Sequence, residues 1–484
     1  MLYFCAILSL LWPALFNGQS IFFYDSIGYL RGGMQASRVF FGLETAWTEA
    51  MLGNAGTSSG ITPETASIGN YTDGYISTAR SVYYGLMLFL SEYAGGLWLS
   101  ISIQGLLVTG SVLMALQLTS GYCPYGFPLV LIGLGLFTPL SFFINYLMPD
   151  AFAGVAVLSV SALLVYYERM PNWMRLGWIA LLVLSMAFHL SHIAVAMLLA
   201  IPGLFAVHIL GKKSRWKLSG VFTGVMFVGI MSQFAIYSTV EFVYGHKPSQ
   251  PPFLMSRVIA DGPGYRYLLA TCPSNGFKIC SFLRNLPAGN DEFLWSKDPK
   301  AGVYGTASPG VRRELEHEQL AFVIEVIRFD FAGQMLASVR GFLKQLSLFG
   351  IGEFVYTDSL RLMVLESVPP NVGVEFENSR LYRDEFPLSK VNVAFTACFL
   401  LSALVLLWWG RSVALGYRNL DAVGKLQSTF FVFVVSGFIL NAMVTGMLST
   451  PHDRYQSRIV WLIPLLAAIV FLNRSKRVAG VDAA

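Results

Sequence analysis

The chain has 484 residues, of which 55% are hydrophobic and 13% are charged. Because an ordinary soluble protein has about 25% charged residues, this composition indicates a polytopic membrane protein and not a set of soluble domains. The formal net charge is only +5, and the strongest basic cluster is the short segment 211–217. The sequence therefore lacks the long cationic surface of a nucleic-acid-binding protein.

Ten stretches are apolar enough to be predicted as membrane spans, since a span needs about 20 residues to cross about 30 Å of hydrocarbon. Several of them are short or contain proline and glycine, which membrane helices tolerate. The predicted limits are 2–17, 96–118, 126–144, 151–167, 174–188, 191–210, 218–240, 391–409, 426–447 and 458–472.

The lysines and arginines of the short loops predict the orientation, because positively charged loops stay in the cytoplasm. With the N-terminus inside, four short cytoplasmic segments are basic, and they contain Arg169, Arg175, Lys212, Lys213, Arg215, Lys217, Arg411, Arg418, Lys425, Arg474, Lys476 and Arg477. The opposite loops 145–150 and 189–190 contain no lysine or arginine, and the loop 448–457 contains only Arg454. Both termini are therefore predicted to be cytoplasmic. A cleaved signal peptide is not favoured, because no basic segment precedes the first span.

Two long polar segments then lie on the outer side. The predicted organisation is a transmembrane module 1–240 with a catalytic first outer loop at 18–95, an extracytoplasmic soluble domain 241–390, and C-terminal transmembrane helices 391–484. The outer domain holds more than half of the charged residues, and its segment 311–348 has a helical pattern of apolar residues. The predicted fold class is an all-α polytopic membrane protein of about ten transmembrane helices with a large extracytoplasmic loop domain.

The cysteines form neither a Cys-x-x-Cys motif nor a Cys/His cluster, which argues against a zinc or redox site. They occupy positions 5, 123, 272, 280 and 398. Cys272 and Cys280 share the polar segment 241–390, and in an oxidising compartment they could close a short disulfide. Two free thiols are the alternative.

Ionisable residues near membrane depth are costly and are candidates for function. Several lie at the predicted outer ends of the spans although they are far apart in sequence, namely Asp25, Asp150, His189, His192, His452 and Arg454. A single cavity on the outer side would explain why these residues all lie at the outer ends of the spans. Simpler roles stay open for each: helix caps for Asp25 and Asp150, interfacial hydrogen bonding for His189 and His192, and a solvated hairpin at 452–455.

Some of these residues fall in short motifs. Asp25-Ser26-x-x-Tyr29 follows the first span, Pro149-Asp150 lies in the second outer loop, and Arg454-Tyr455 precedes a last proline-containing helix. Together with the large outer domain, these motifs resemble integral-membrane glycosyltransferases of the GT-C fold. The chain is most similar to bacterial relatives of protein mannosyltransferases and to the aminoarabinose transferase of lipid A. The resemblance covers the layout of the first seven spans. It implies transfer of a sugar from a polyprenyl-phosphate donor to an acceptor hydroxyl.

Such a reaction needs a base for the hydroxyl proton and cations for the departing phosphate. Asp25 is the candidate general base, because partial burial among aromatic residues is expected to raise its pKa. Asp150 is the second catalytic candidate, as an acceptor-orienting group or a metal ligand. For the donor phosphate the leading candidate is Arg454 and the next is Arg458. Arg80 is weaker, since it could equally be a snorkelling anchor.

The expected substrate-binding residues are Tyr29, His189, His192, His452 and Tyr455. Many members of the family carry an Asp-Glu pair where this chain has Asp25-Ser26, so a metal requirement is open. A divalent cation, Mg or Mn, would use Asp25, Asp150 and one histidine. The sequence has neither a P-loop nor a strand-associated Gly-x-Gly-x-x-Gly, which fits a lipid-phosphate donor.

Two alternatives remain. An O-antigen-type polymerase or ligase also acts on lipid-linked glycans, and a lipid or solute transporter is a non-enzymatic possibility. A transporter should place charged or unwound positions at the midplane in related halves, and these spans show neither. The expected location is a bacterial inner membrane with the active site on the periplasmic side. The acceptor is a lipid, a glycan or a protein. Asn70-Tyr71-Thr72 matches a glycosylation sequon that also arises by chance.

Overall fold

The computed structural model describes residues 1–53, 80–245 and 247–478, with side chains up to residue 474. Within these ranges every regular element is a helix. Seven of the described helices are long and apolar enough to cross a membrane, and three shorter apolar helices accompany them. The all-α character is confirmed and the apolar helices fit a polytopic membrane protein, whereas the count of ten spans stays a prediction. The sequon Asn70-Tyr71-Thr72 lies outside the described residues.

The helices described before residue 246 include the first outer segment and most of the membrane bundle. They are α1 (Leu2–Asn17), α2 (Tyr24–Phe41), α3 (Ala46–Gly53), α4 (Val82–Ser120), α5 (Gly126–Phe137), α6 (Leu140–Asn145), α7 (Phe152–Tyr166), α8 (Asn172–Phe188), α9 (Leu190–Ile209) and α10 (Arg215–Tyr244).

The helices described after residue 246 belong to residues 241–390, which we call the second outer segment after their predicted position, and to the C-terminal apolar stretches. The outer ones are α11 (Phe253–Ala260), α12 (Pro263–Thr271), α13 (Asn290–Trp295), α14 (Pro309–Phe329), α15 (Phe331–Ser347), α16 (Asp358–Leu365) and α17 (Pro370–Asn378). The last are α18 (Leu388–Gly416), α19 (Ala422–Leu448), α20 (Asp453–Val460) and α21 (Leu462–Val478). Short 3₁₀ turns lie at Pro149–Ala151, Tyr167–Arg169, Lys278–Asn285, Gly352–Phe354 and Tyr417–Asn419.

All ten predicted stretches are mainly helical, but 126–144 is interrupted at Thr138 and Pro139 between α5 and α6. The second stretch also differs in two details. The second begins at Val82 and not near residue 96, so the end of the first outer loop is already helix. At Gly96 the backbone has φ 74° and ψ 178°, a conformation essentially restricted to glycine. The pair Gly95-Gly96 therefore kinks α4.

Helix α7 is the centre of the bundle. Every residue from Phe152 to Tyr166 is buried, and the helix packs against α8, α9 and α19. The stretch contains no charged residue, and a helix satisfies its own backbone hydrogen bonds in an apolar environment. By contrast α10 and α18 bury few residues, so their apolar side chains form the outer surface of the bundle.

The second outer segment has two parts. Residues from Met255 to Val326 form a separate hydrophobic cluster, and the Cys272–Cys280 disulfide fastens its edge. The predicted alternative of two free thiols is therefore wrong. Residues from Ile351 to Phe386 belong instead to the main core with the membrane helices. The predicted helical stretch 311–348 is present, but Asp330 divides it into α14 and α15.

Two loops that carry candidate residues are joined through their backbones. The Ile21 amide donates to the Asn145 carbonyl at 2.9 Å, and the Leu147 amide donates to the Ile21 carbonyl at 2.9 Å. The side-chain amide of Gln104 in α4 supports this pairing by donating to the carbonyls of Ile144 and Tyr146, at 3.1 Å each. The start of α2 is thereby fixed beside the turn that precedes α7.

Candidate active site

Asp25 lies in the first turn of α2 and points toward the other candidate residues. The residue that precedes this helix is Phe23, whose amide donates to Ser26 Oγ at 2.9 Å. The Phe22 amide donates to the hydroxyl of Tyr356 in the second outer segment at 3.0 Å. The carboxylate of Asp25 makes no capping bond, so the simple helix-cap role does not apply. The Asp25 carboxylate is therefore able to pair with other groups.

Those partners are two guanidinium groups from distant parts of the chain. Arg80 forms an ion pair with one carboxylate oxygen of Asp25, and Arg454 Nη1 lies 3.4 Å from the other. Only 9% of Asp25 is exposed. Burial raises the pKa of this carboxyl, but the charges of Arg80 and Arg454 outweigh burial, and the net pKa is lowered. The expected rise in the pKa of Asp25 is therefore wrong for the protein without ligand.

Arg80 reaches Asp25 because α2 and α4 touch through glycines. A Cβ atom on Gly33 would lie 2.0 Å from the carbonyl oxygen of Gly85, and one on Gly85 would lie 2.4 Å from the carbonyl oxygen of Tyr29. A residue with a Cβ atom at either position would prevent this close approach of the two backbones. The glycine contact thus sets the distance between the helix that carries Asp25 and the residues that precede α4.

Arg454, at the start of α20, is held between aromatic rings. Its guanidinium carbon lies 4.6 Å from the ring centre of Phe23 and 5.0 Å from that of Tyr455, and such contacts favour a flat cation. Its Nε is buried and has no hydrogen-bond partner among the described residues. The rings therefore fix the orientation of Arg454 while leaving part of its hydrogen-bonding capacity unused.

Asp150 and Arg458 form a second, deeper pair. Arg458 Nη1 lies 3.3 Å from Asp150 Oδ1, and the arginine side chain has no exposed surface. Arg458 also donates to Asn441 Oδ1 in α19 at 2.8 Å and to Ser191 Oγ at 3.1 Å. The second oxygen of Asp150 is buried without a hydrogen-bond partner in the described part of the chain. Neither residue lines the cavity described below.

The two predicted histidines occupy different positions. His189 Nδ1 accepts from the amide of Ser191 at 3.1 Å, so the neutral ring carries its proton on Nε2. Burial, assisted by the nearby Arg458 charge, lowers the pKa of His189 to about 3, which keeps it neutral at physiological pH. His192 is buried behind it and donates from Nδ1 to the Ser185 carbonyl at 2.8 Å. Only His189 reaches the cavity.

His452 joins the membrane bundle to the second outer segment. Its Nε2 lies 3.2 Å from Asp291 Oδ2 and its Nδ1 lies 2.9 Å from Glu353 Oε1. Hydrogen bonds to Asp291 and then to Glu353 raise the pKa of His452 to about 10, with burial opposing them. The imidazolium is therefore the form present at neutral pH. The interpretation of 452–455 as a solvated hairpin does not apply.

A cavity of about 640 Å³ connects these groups at the boundary between the bundle and the second outer segment. Seven of the ten residues proposed from the sequence line it, and these are Asp25, Tyr29, Arg80, His189, His452, Arg454 and Tyr455. The cavity wall also has an apolar part, which includes Phe188, Leu190, Phe253, Leu294 and Met363. The acidic residues in the lining are Asp25, Asp291 and Glu353, and the cationic ones are Arg80, Lys297, Arg454 and the His452 imidazolium. The lining therefore has a small excess of positive charge.

The donor atoms do not fit a divalent cation. Both oxygens of Asp25 and one oxygen of Asp150 are paired with guanidinium groups, whose charges would repel a metal ion. Among the described residues no group of three or more His, Cys, Asp or Glu side chains is arranged to hold a metal. The polar side of the cavity suits an anion instead.

Some residues of this site were missed by sequence reasoning. Glu353 and Asp291 looked like ordinary charges of a polar segment, and their contact with His452 depends on the tertiary fold. Asn441 did carry a signal, because it is an amide inside the predicted span 426–447. Lys297 and Trp295 complete the outer wall of the cavity, and nothing in their local sequence distinguishes them.

Comparison of the chain with protein-family models, with characterised proteins and with solved structures finds no match. The class that the fold supports is a helical polytopic membrane protein with a buried polar cavity at one end of its bundle.

Proposed function

We propose that the protein is a membrane glycosyltransferase that moves a sugar from a polyprenyl-phosphate donor to an acceptor hydroxyl on the outer face of a bacterial inner membrane. The observation that carries this proposal is the cavity itself, in which Asp25 lies between Arg80 and Arg454. Sugar transfer from a phosphate requires a base and phosphate-binding cations together. The resemblance of the sequence motifs to GT-C enzymes points to the same reaction.

The apolar wall of the cavity favours a lipid-linked donor. Leu190 is 56% exposed and Phe253 is 37% exposed, and both also contribute to the cavity. Gln233 brings α10 into the same wall, and most of α10 faces outward from the bundle. A polyprenyl chain in the bilayer can therefore extend along this side while its phosphate occupies the cationic part.

The proposed step balances within the cavity. The acceptor hydroxyl oxygen forms a bond to the anomeric carbon, and its proton passes to the carboxylate of Asp25. The bond between the anomeric carbon and the phosphate oxygen breaks, and its electron pair leaves with the polyprenyl phosphate. Arg454 and Arg80 stabilise that charge by ion pairing. His189 offers an Nε2 proton as an uncharged hydrogen-bond donor to the sugar.

The low pKa of Asp25 makes it a weak base before the donor binds. A phosphate that enters the cavity competes for the guanidinium groups of Arg80 and Arg454. When the two guanidinium groups pair with the phosphate, less positive charge remains beside the buried carboxylate of Asp25. The pKa of Asp25 then rises, because burial disfavours the ionised form. The donor thus activates the base in the arrangement that we propose.

The decisive experiment uses purified protein in lipid nanodiscs with labelled polyprenyl-phosphate sugars, both hexoses and pentoses, and membrane-extracted acceptors. We expect Asp25→Asn to slow transfer by about 10²–10⁴-fold, the usual contribution of a general base. It should bind polyprenyl phosphate at least as well as the wild type, because the loss of a carboxylate frees Arg80 and Arg454. Arg454→Ala should weaken that binding by about tenfold or more, as for the loss of a charged hydrogen bond.

Asp261→Asn is the matched control, because the Asp261 side chain is only 9% exposed and pairs with Arg257 at 3.1 Å, but it does not line the cavity. It should keep the wild-type rate. Full activity of Asp25→Asn would refute the assigned base. Activity that depends on Arg454 and His452 but not on Asp25 would favour a polymerase or ligase. Lipid movement without any sugar transfer would favour a transporter.

A further inference from the structure

A second crevice lies at the opposite end of the bundle. It has a volume of about 220 Å³, lies between α18, α19 and α21, and is lined by Trp408, Trp409, Gln427, Asn473 and Arg474, among others. Twenty residues of almost continuous helix separate Arg454 from Arg474, which is about 30 Å at 1.5 Å per residue. The crevice is therefore one membrane thickness away from Asp25 and independent of the proposed function.

Two polar groups in this crevice have unused binding capacity. The guanidinium carbon of Arg474 lies 4.2 Å from the ring centre of Trp408, and no ion pair joins Arg474 to any residue in the described ranges. The amide of Gln427 also lacks a hydrogen-bond partner within those ranges. By contrast the Asn473 amide donates to the Thr119 carbonyl at 3.1 Å, which anchors α21. Trp409, which also lines the crevice, has its ring centre 4.6 Å from that of Phe431.

The surroundings of the crevice are cationic. Arg411 and Lys425 are adjacent in sequence to the lining residues Ser412 and Gly424, and Arg418 lies in the turn between α18 and α19. The acidic residue of that turn, Asp421, accepts a hydrogen bond from the Gly424 amide at 2.8 Å and caps α19. The charges of these basic residues are therefore not neutralised by a neighbouring ion pair in the described structure.

The crevice continues into an apolar surface. Leu400, Leu401, Leu404 and Leu407 of α18 are exposed, and within this helix only Phe395 is buried. Trp408, which is 47% exposed, lies between these leucines and Arg474. Tryptophan at such a boundary is typical of the membrane–water interface. A ligand that fits this surface has an acyl chain on one side and a negatively charged head on the other.

We propose that this crevice binds the phosphate head group of one anionic phospholipid from the leaflet that the sequence assigns to the cytoplasm. Arg474 pairs with the phosphate, the Gln427 amide donates to the head group, and the acyl chains lie along the leucines of α18. Basic pockets between transmembrane helices on the cytoplasmic side recognise anionic lipids by this chemistry.

The test uses the purified full chain in a neutral detergent, to which phosphatidylglycerol, cardiolipin or phosphatidylcholine is added. Bound lipids are counted by native mass spectrometry. We expect wild-type protein to retain one anionic phospholipid in preference to phosphatidylcholine. Arg474→Gln should bind that lipid about fivefold more weakly, the loss expected for one cation at an anionic membrane surface. Gln427→Ala, which keeps every charge, should also weaken retention.

Arg175→Gln is the matched control. Arg175 lies in the first turn of α8, beside another connection assigned to the cytoplasm, and its guanidinium carbon is 4.9 Å from the Tyr167 ring centre. Its N–H groups are already bonded to the Tyr167 carbonyl and Asn172 Oδ1, so its removal should not change lipid retention. Equal retention by wild type, Arg474→Gln and Gln427→Ala would overturn the proposal. Displacement of the lipid by millimolar inorganic phosphate would do the same, because it would identify a free anion as the ligand.

Discussion

Asp25 and Asp150 are both buried beside guanidinium groups, but only Asp25 faces the cavity. Asp150 is 1% exposed and Arg458 is fully buried, so their ion pair lies behind the cavity wall. Its hydrogen bonds to Ser191 and Asn441 connect α9 with α19. The same residue type thus has two uses in this protein, one in the proposed chemistry and one in holding the helices that support it.

The Asp150–Arg458 pair should be costly to break. Removing one member of a buried pair typically costs about 3–5 kcal/mol, because the other charge is left uncompensated. We expect Asp150→Leu to lose stability on this scale and the double variant Asp150→Leu/Arg458→Met to recover much of it. Unfolding free energies in mixed micelles would measure both.

Asp358→Ala is the control for that series. Asp358 is 99% exposed and pairs with Arg361 at 3.2 Å, and exposed pairs contribute about 0–1 kcal/mol. A double variant no more stable than Asp150→Leu would show that the network has another role than charge compensation.

His452 predicts a dependence of stability on pH. Its pKa rises from the usual 6.5 to about 10 in the folded protein, so the stabilisation from its bound proton is fully present below pH 6.5. It is lost as the pH rises through about 10. We expect the melting temperature of the wild type to fall across this interval and that of His452→Gln to fall less. Parallel profiles for the two proteins would contradict the ion pairs with Asp291 and Glu353.

At the scale of elements, the contact between α2 and α4 decides the geometry of the site. Gly33 and Gly85 allow the two backbones to touch, and Arg80 precedes α4 by only two residues. The kink at Gly96 separates this outer part of α4 from the part inside the bundle. The part of α4 before the kink therefore packs against α2 independently of the direction of the part after the kink.

Gly33→Ala should disrupt this contact, because its Cβ would lie 2.0 Å from the carbonyl oxygen of Gly85. We expect lower thermal stability together with weaker polyprenyl-phosphate binding, since Arg80 would move away from Asp25. Gly32→Ala is an ideal control, because a Cβ there meets no atom within 4 Å. It should be neutral or stabilise the helix by about 0.5–1 kcal/mol. Equal behaviour of the two variants would contradict the close approach of α2 and α4.

The helices could be predicted from the sequence because the bilayer requires long apolar segments. Asp25, Asp150 and Arg454 could be predicted as candidates for a related reason, since a charged residue at the end of a span is conspicuous among apolar neighbours. The sequence did not predict which of the other arginines contributes to the cavity. Arg458 ranked above Arg80, yet Arg80 lines the cavity and Arg458 lies behind it. Which side of a helix faces a cavity depends on tertiary packing, and so does the contact of His452 with Glu353.

For the whole molecule, the asymmetry of charge predicts an orientation with which the disulfide is consistent. Cys272–Cys280 lies in the second outer segment, and disulfides persist in oxidising compartments. The basic short loops lie on the opposite side of the sequence-based topology. Both features agree with the prediction that the cavity of Asp25 lies on the extracytoplasmic side.

Single-cysteine labelling would test this orientation. In a background where the free Cys5, Cys123 and Cys398 are replaced by alanine, Glu375→Cys and Lys213→Cys each add one exposed thiol. We expect a membrane-impermeant maleimide to label Glu375→Cys in intact spheroplasts and Lys213→Cys only after lysis. The reverse pattern would invert the topology.

The separation of Asp25 from Arg454 affects how the protein is made. These residues are 429 positions apart. Asp25 is therefore synthesised near the beginning of translation, and Arg454 is synthesised near the end. A nascent chain that stalls before α20 has inserted therefore exposes an incompletely neutralised acid at the membrane surface. Quality-control proteases and chaperones of the membrane would meet that immature form, in which the cavity around Asp25 is not yet complete.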